Sequence, residues 1–175
     1  MNNTWMQRTA ILIGDNGIEK LKQSHVLIVG MGGVGSYAAE FVARAGVGKM
    51  TIIDGDVVDP TNRNRQLIAL SNTHGMQKVK LMEERLRLIN PEINIQMYNE
   101  FMTPEMAETI IQSDRYDYAI DAIDSITPKI SFLLAALQSK LPIISSMGAG
   151  GKIDPMKLKI ADISKTHTCP FAQYV

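Results

Sequence analysis

The stretch from His25 to Asp56, HVLIVGMGGVGSYAAEFVARAGVGKMTIIDGD, constrains the fold more than any other part of the chain. Val26–Val29 is a short apolar run rich in β-branched residues. Gly30, Gly32, Gly33 and Gly35 interrupt it, and an Ala-rich helical pattern takes over from about Val34 to Ala45. In that helix Ala38, Phe41, Val42 and Ala45 recur at three- and four-residue spacings and predict its buried face. Gly46 and Gly48 end it, and a second apolar run, Met50–Ile53, closes on Asp54. Strand, glycine-rich turn, helix, strand and terminal acid make up a nucleotide-binding βαβ unit. The glycines let the backbone approach a phosphate, the helix start presents amides to it, and the acid accepts hydrogen bonds from ribose hydroxyls. Alone, this unit suggests a nicotinamide-dependent oxidoreductase.

The alternation continues downstream. Val79, Met82, Leu86 and Ile89 mark a helix ended by Asn90-Pro91, and Ile93, Ile95 and Met97 alternate as in a half-buried strand. Thr103-Pro104 reads as an N-cap with proline at the first helical position, opening a helix to about Gln112. Tyr116–Asp121 predicts a strand, Pro128–Ser139 a helix with Ile130, Leu133, Leu134 and Leu137 inward, and Leu141–Ser145 a strand. Leu158–Ile163 predicts a last, alternating strand. Strands alternating with helices imply an α/β, Rossmann-like three-layer domain with a mainly parallel sheet and its ligand crevice at the strands' carboxyl ends. Residues 1–24 read as an N-terminal arm with a short helical cap at Ile18–Gln23, and residues 25–175 as the domain itself.

Bulk properties narrow the function. Lys plus Arg equals Asp plus Glu at 18 each, so no overall basic field drives nucleic-acid binding. A single Cys169 excludes an internal disulfide framework and a cysteine-rich zinc site, and it reads as incidental. No apolar run approaches the roughly 18 to 20 residues of a membrane span, and the first ten residues lack the apolar core of a signal peptide. A soluble cytoplasmic protein is expected.

The loop after the second strand changes the expected ligand. Asn62, Arg63, Asn64, Arg65 and Gln66 bring two guanidiniums and three amides together, and Lys78 and Lys80 open the next helix. Hydride transfer needs few phosphate-directed donors, whereas a triphosphate needs many. The alternative is a solvated basic loop. Asp121 and Asp124 add carboxylates at another strand end, suited to a hard divalent cation that bridges phosphates; helix N-capping by Asp124 is the other use. Together these point to a magnesium–ATP site without a Walker sequence.

The motifs GMGGVGS (Gly30–Ser36), AGVGKMTIIDGD (Ala45–Asp56), NRNRQ (Asn62–Gln66), GMQKVK (Gly75–Lys80), INPEI (Ile89–Ile93) and DAIDS (Asp121–Ser125) resemble, in order, those of the ubiquitin-activating-type adenylating superfamily. DAIDSITPK, GAGGKIDP (Gly148–Pro155) and ADISKT (Ala161–Thr166) resemble the branch that cyclises threonylcarbamoyladenosine in tRNA. The resemblance implies an adenylating-enzyme fold with ATP and Mg2+ as cofactors. In it Gly30, Gly32, Gly33 and Gly35 line the nucleotide, Asp54 holds ribose, Asn62, Arg65 and Lys78 contact the phosphates, and Gln66 is a further cofactor-binding residue. Asp124 is the metal residue, and Arg65, Lys78, Asp124 and Arg8 form the catalytic set, Arg8 reaching a partner subunit's site in a homodimer or serving as an ordinary surface residue. The implied substrate is tRNA; a sulfur-carrier or ubiquitin-like protein is the alternative, and an inactive nucleotide-binding fragment a third. Relatives normally continue beyond the position of Val175, so the chain is expected to lack the family's C-terminal portion.

Overall fold

The computed structural model describes residues 4–175, so the first three residues of the expected arm lie outside the described part. Helix α1 (Gln7–Gln23) precedes β1 (His25–Val29), α2 (Gly35–Arg44), β2 (Lys49–Ile53), α3 (Lys78–Ile89), β3 (Asn94–Tyr98), α4 (Pro104–Gln112), β4 (Tyr118–Asp121), α5 (Ile126–Gln138), β5 (Ile143–Ser145) and α6 (Pro170–Tyr174). The strands form one sheet in the order β3-β2-β1-β4-β5, and every pairing is parallel. The α/β, Rossmann-like architecture expected from the alternation is therefore what the chain adopts.

Burial follows from that order. β1 is central and buried along its whole length because helices cover both faces. Val26 and Ile28 pack with Ala39 and Ala43 of α2 and with Val79, Met82 and Leu86 of α3. Leu27 and Val29 pack on the opposite face with Ala107 and Ile110 of α4 and Phe132 and Ala136 of α5. The two alternating halves of one strand thus seed the two halves of the core.

Two helices present other faces than their apolar spacing predicts. α2 buries Ala39 and Ala43 and leaves Phe41 exposed; α5 buries Lys129, Phe132, Ala135 and Ala136 and leaves Leu134 and Leu137 exposed. On α2, close approach to the sheet favours small side chains, so the alanines take the contact over Phe41; on α5 the buried face combines Ala135 and Ala136 with the larger Phe132 and Lys129. α4 opens as expected, with Pro104 at its first turn and Thr103 Oγ1 accepting the Met106 N–H at 3.2 Å.

Both ends also differ from expectation. The N-terminal cap is a 17-residue helix rather than the short Ile18–Gln23 piece, kinked at Gly14, where φ is +73°. Its ends meet the turn before β2, with Met6, just ahead of the helix, against Gly46 and the Lys22 carbonyl against Gly48. The expected strand Leu158–Ile163 does not form, and Leu158 and Ile160 are 77% and 92% exposed. Asp154 and Asp162 accept the amides of Met156 and Ser164 and turn the chain into single 3-10 turns on either side, so the alternating run finds no straight neighbour.

Candidate active site

From β1 the sheet extends to β2 on one side and to β4 on the other. This switch point opens a crevice beyond the strands' carboxyl ends, where ligands bind in such sheets. The cleft found there has a volume of about 150 Å3. Its walls come from the turn after β1, the loop after β2, the start of α3 and the loop after β4.

Gly30 and Gly32 lie in the wall. Gly30 has φ +92°, and a Cβ there would lie 2.6 Å from the Ala122 carbonyl oxygen, so only glycine lets the turn cross the end of β4. At Gly32 a Cβ would find its nearest neighbour 3.8 Å away, leaving the backbone open to the cleft. Gly33 and Gly35 stand elsewhere than expected. The Arg65 stem covers Gly33, and a Cβ on Gly35 would overlap the Gly30 carbonyl, so Gly35 serves the contact between helix and turn. Among the described residues no side chain caps the first turn of α2.

Asp54 also lies in the wall and organises it. One oxygen accepts the Met31 N–H at 2.6 Å, and the other accepts the Asp56 N–H at 2.8 Å. Lys78 reaches the cleft from the start of α3 with its side chain only 6% exposed, and its Nζ is 2.6 Å from Oδ2 of Asp56. Asp56 went unremarked in the sequence, where nothing distinguishes it from the other loop acids. Gln66 is buried in the same wall, and among the described residues its Oε1 has no hydrogen-bond partner. An unpaired buried acceptor is costly, and ligand donors entering the cleft would relieve it.

Asp124 is exposed at the cleft and does not cap α5, whose N-cap position is Ser125. Asp121, by contrast, is fully buried and engaged with Lys129, Ser145 and the Ile123 amide, which removes it from the expected cation site. Asn62 and Arg65 do not line the cleft either. Asn62 Oδ1 accepts the Asp59 N–H at 3.0 Å while Asp59 accepts the Thr61 N–H at 2.8 Å, so Asn62 holds the loop's 3-10 turn together. Arg65 is exposed, and its Nη1 is 2.9 Å from the Asn64 side-chain oxygen. Arg8 is exposed near the start of α1 and does not line the cleft of its own chain.

Cys169 is buried beside Gly148. Hydrogen bonding from the Ala172 amide, helped by the Lys152 ammonium, holds its thiol below the usual range.

The ThiF family model matches residues 6–174. The chain belongs to the ThiF family. Among members of that family, tRNA threonylcarbamoyladenosine dehydratase of Bacillus subtilis is 49% identical over 168 residues, covering 96% of this chain and 66% of that protein. The Escherichia coli protein of the same name is 41% identical over 175 residues, covering 98% of this chain and 65% of the relative. This ThiF-family chain thus spans about two thirds of the length of these relatives. A crystal structure of the E. coli tRNA N6-threonylcarbamoyladenosine dehydratase in complex with ATP superposes with a TM-score of 0.93 at 41% identity, covering 98% of this chain and 71% of that one.

Proposed function

We propose that this chain forms the ATP-binding, adenylating part of an enzyme that cyclises threonylcarbamoyladenosine in tRNA. The observation that carries the reading is the unpartnered Oε1 of Gln66, buried in the same wall as Lys78 and Asp54. A nucleotide supplies hydroxyl donors for such acceptors and phosphates for the ammonium. The relatives' shared name and the ATP complex of the E. coli enzyme support the choice of ligand and substrate.

In this reading the wall serves carboxylate activation. The substrate carboxylate attacks the α-phosphate of ATP, the bond to pyrophosphate breaks, and the carboxyl becomes an acyl-adenylate. A nitrogen or oxygen of the same threonylcarbamoyl group then attacks that carbonyl and AMP leaves, so one water is lost overall from the tRNA nucleoside. Lys78 neutralises phosphate charge, the open backbone at Gly32 lets phosphate approach, and Asp54 faces the ribose. Arg65, whose stem packs over Gly33 beside the cleft, is a further cation of the loop for phosphate oxygens in this reading.

Asp54, Asp56, Glu100 and Asp124 outnumber Lys78 in the wall, so a polyanion needs further positive charge there. Among the described residues no three His, Cys, Asp or Glu side chains converge as a metal cage. Magnesium requires none, because one carboxylate, phosphate oxygens and waters complete its shell. Asp124 fits that role, and the bound ion would supply charge neutralisation at the phosphates. Arg8 serves a second copy of the chain in this reading, which makes the enzyme a homodimer. A tRNA substrate places it in the cytoplasm; among the described residues no helix is long and apolar enough to cross a membrane.

The test is pyrophosphate release measured with tRNA carrying threonylcarbamoyladenosine and, separately, with a small diglycine-tailed carrier protein. Release with the tRNA alone, accompanied by loss of one water mass from its digested nucleoside, is the expected result. Release with the carrier protein alone would transfer the assignment to sulfur-carrier activation, and no release with either would reduce the chain to nucleotide binding.

A further inference from the structure

Lys129 sits on the buried face of α5, and neither it nor Asp121 has any side-chain exposure. Its Nζ donates to Asp121 Oδ2 at 2.5 Å, Ser145 Oγ at 3.1 Å and the Ser146 carbonyl at 3.0 Å, which uses all three ammonium donors. Ser145 Oγ donates to Asp121 Oδ2 at 2.6 Å, and Asp121 Oδ1 accepts the Ile123 N–H at 3.0 Å. The Phe171 ring of α6 stands 5.6 Å from Nζ. Apolar side chains would fill this space at least as favourably as two desolvated charges, so packing alone does not account for the pair.

What the pair does is join three stretches that are distant in sequence. The loop carrying Asp124 is held through the Ile123 amide, the end of β5 through Ser145 and Ser146, and α6 through Phe171, which also packs against Gly148. Among the described residues Asp124 makes no hydrogen bond that would orient it, and it follows a backbone fixed one residue earlier.

We infer that Lys129 and Asp121 are positioning residues, which set the backbone that aims Asp124 into the cleft and tie that loop to the C-terminal helix. This rests on the reading of Asp124 as the magnesium-holding carboxylate. Residues that orient a metal ligand typically change metal affinity by about 10- to 100-fold when removed.

The experiment compares the wild-type chain with the double variant Asp121→Leu/Lys129→Met, which removes both charges together, and with Lys129→Arg, which keeps the donor. ATP affinity is measured with and without magnesium, and amide hydrogen exchange is followed in the nucleotide-free protein. The double variant is expected to lose about tenfold of the magnesium-dependent gain in ATP affinity while its magnesium-free affinity stays the same. Amides at 122–125 and 170–174 should exchange faster together, with 26–29 still protected, and Lys129→Arg should retain most of the magnesium gain. Unchanged exchange at 122–125 in a folded double variant would overturn the inference. Should the double variant fail to fold, Ser145→Ala, which removes one strut and keeps the ion pair, is expected to shift the same two measurements by less; no shift would equally overturn it. If wild-type ATP binding proves indifferent to magnesium, it is the metal role of Asp124 that fails, and hydrogen exchange alone then decides whether the pair positions the loop.

Discussion

The ammonium of Lys78 and the carboxylate of Asp56 are 2.6 Å apart at the cleft, the lysine nearly buried and the aspartate half exposed. The pair keeps a cation aimed into the site, and a phosphate would compete with Asp56 for it. Lys78→Met is therefore expected to lower ATP–pyrophosphate exchange by about 10² to 10³. Its cost to stability should stay within about 1 kcal/mol, because the partner left behind is half in water. Asp56→Asn should act in the opposite sense on magnesium-free ATP binding, tightening it as one negative charge leaves the wall; calorimetric titration of both variants checks the pair.

Gly30 and Gly32 should separate folding from binding. Gly30→Ala forces a side chain into φ +92° and against the Ala122 carbonyl, and a loss of about 1 to 3 kcal/mol is expected in urea unfolding. Gly32→Ala has room for its methyl group and should unfold like the wild type, yet lose ATP affinity because the methyl stands where phosphate must approach the backbone.

Asp124→Ala should leave the melting temperature unchanged, since the residue is exposed and caps nothing. Magnesium-dependent pyrophosphate exchange should disappear. Retention of full exchange would remove Asp124 from the metal site.

His25 sets a pH dependence at the other end of the sheet. Its Nε2 is 2.8 Å from Thr51 Oγ1 and its Nδ1 is 3.2 Å from the Arg115 carbonyl. Burial, reinforced by the Lys49 ammonium, lowers its pKa from 6.5, while Asp114 and Asp117 oppose that shift. The folded state thus favours neutral imidazole, and the unfolded chain binds more protons as pH falls below 6.5. Stability is expected to be full above that value and to decline as pH drops toward the lowered folded pKa. Urea midpoints between pH 7.5 and 5.5 should show the decline, and His25→Gln should flatten it. The carboxylates whose pKa values are lowered, Glu40 and Asp114 among them, lose their contribution only at lower pH, outside this range.

Local chemistry made much of this protein readable from its chain. The βαβ unit was legible because a β-branched run, a glycine cluster and an Ala-rich helix each have few alternatives, and the capped start at Thr103-Pro104 was legible because its bonds are made within one turn. The same locality misled at Leu158–Ile163, where alternation is written into the residues but the strand needs a neighbour that the fold does not bring. α5 is apolar nearly all round, so periodicity could not choose its buried face. A lysine within so apolar a helix was the available sign that something buried would have to receive it.

By itself, then, the sequence determined the order of strands and helices from β1 to β5, the parallel sheet and its crevice, because backbone preference and alternating hydrophobicity act over a few residues; the family resemblance added Gln66 to the Gly30, Gly32, Asp54, Lys78 and Asp124 that line it. Only tertiary structure decided that Gly35 serves packing, that Asn62 holds its own loop and that Asp121 belongs to Lys129 and not to a metal. Those assignments depend on which groups lose water and which distant partners then satisfy them, and folding of the whole chain settles both.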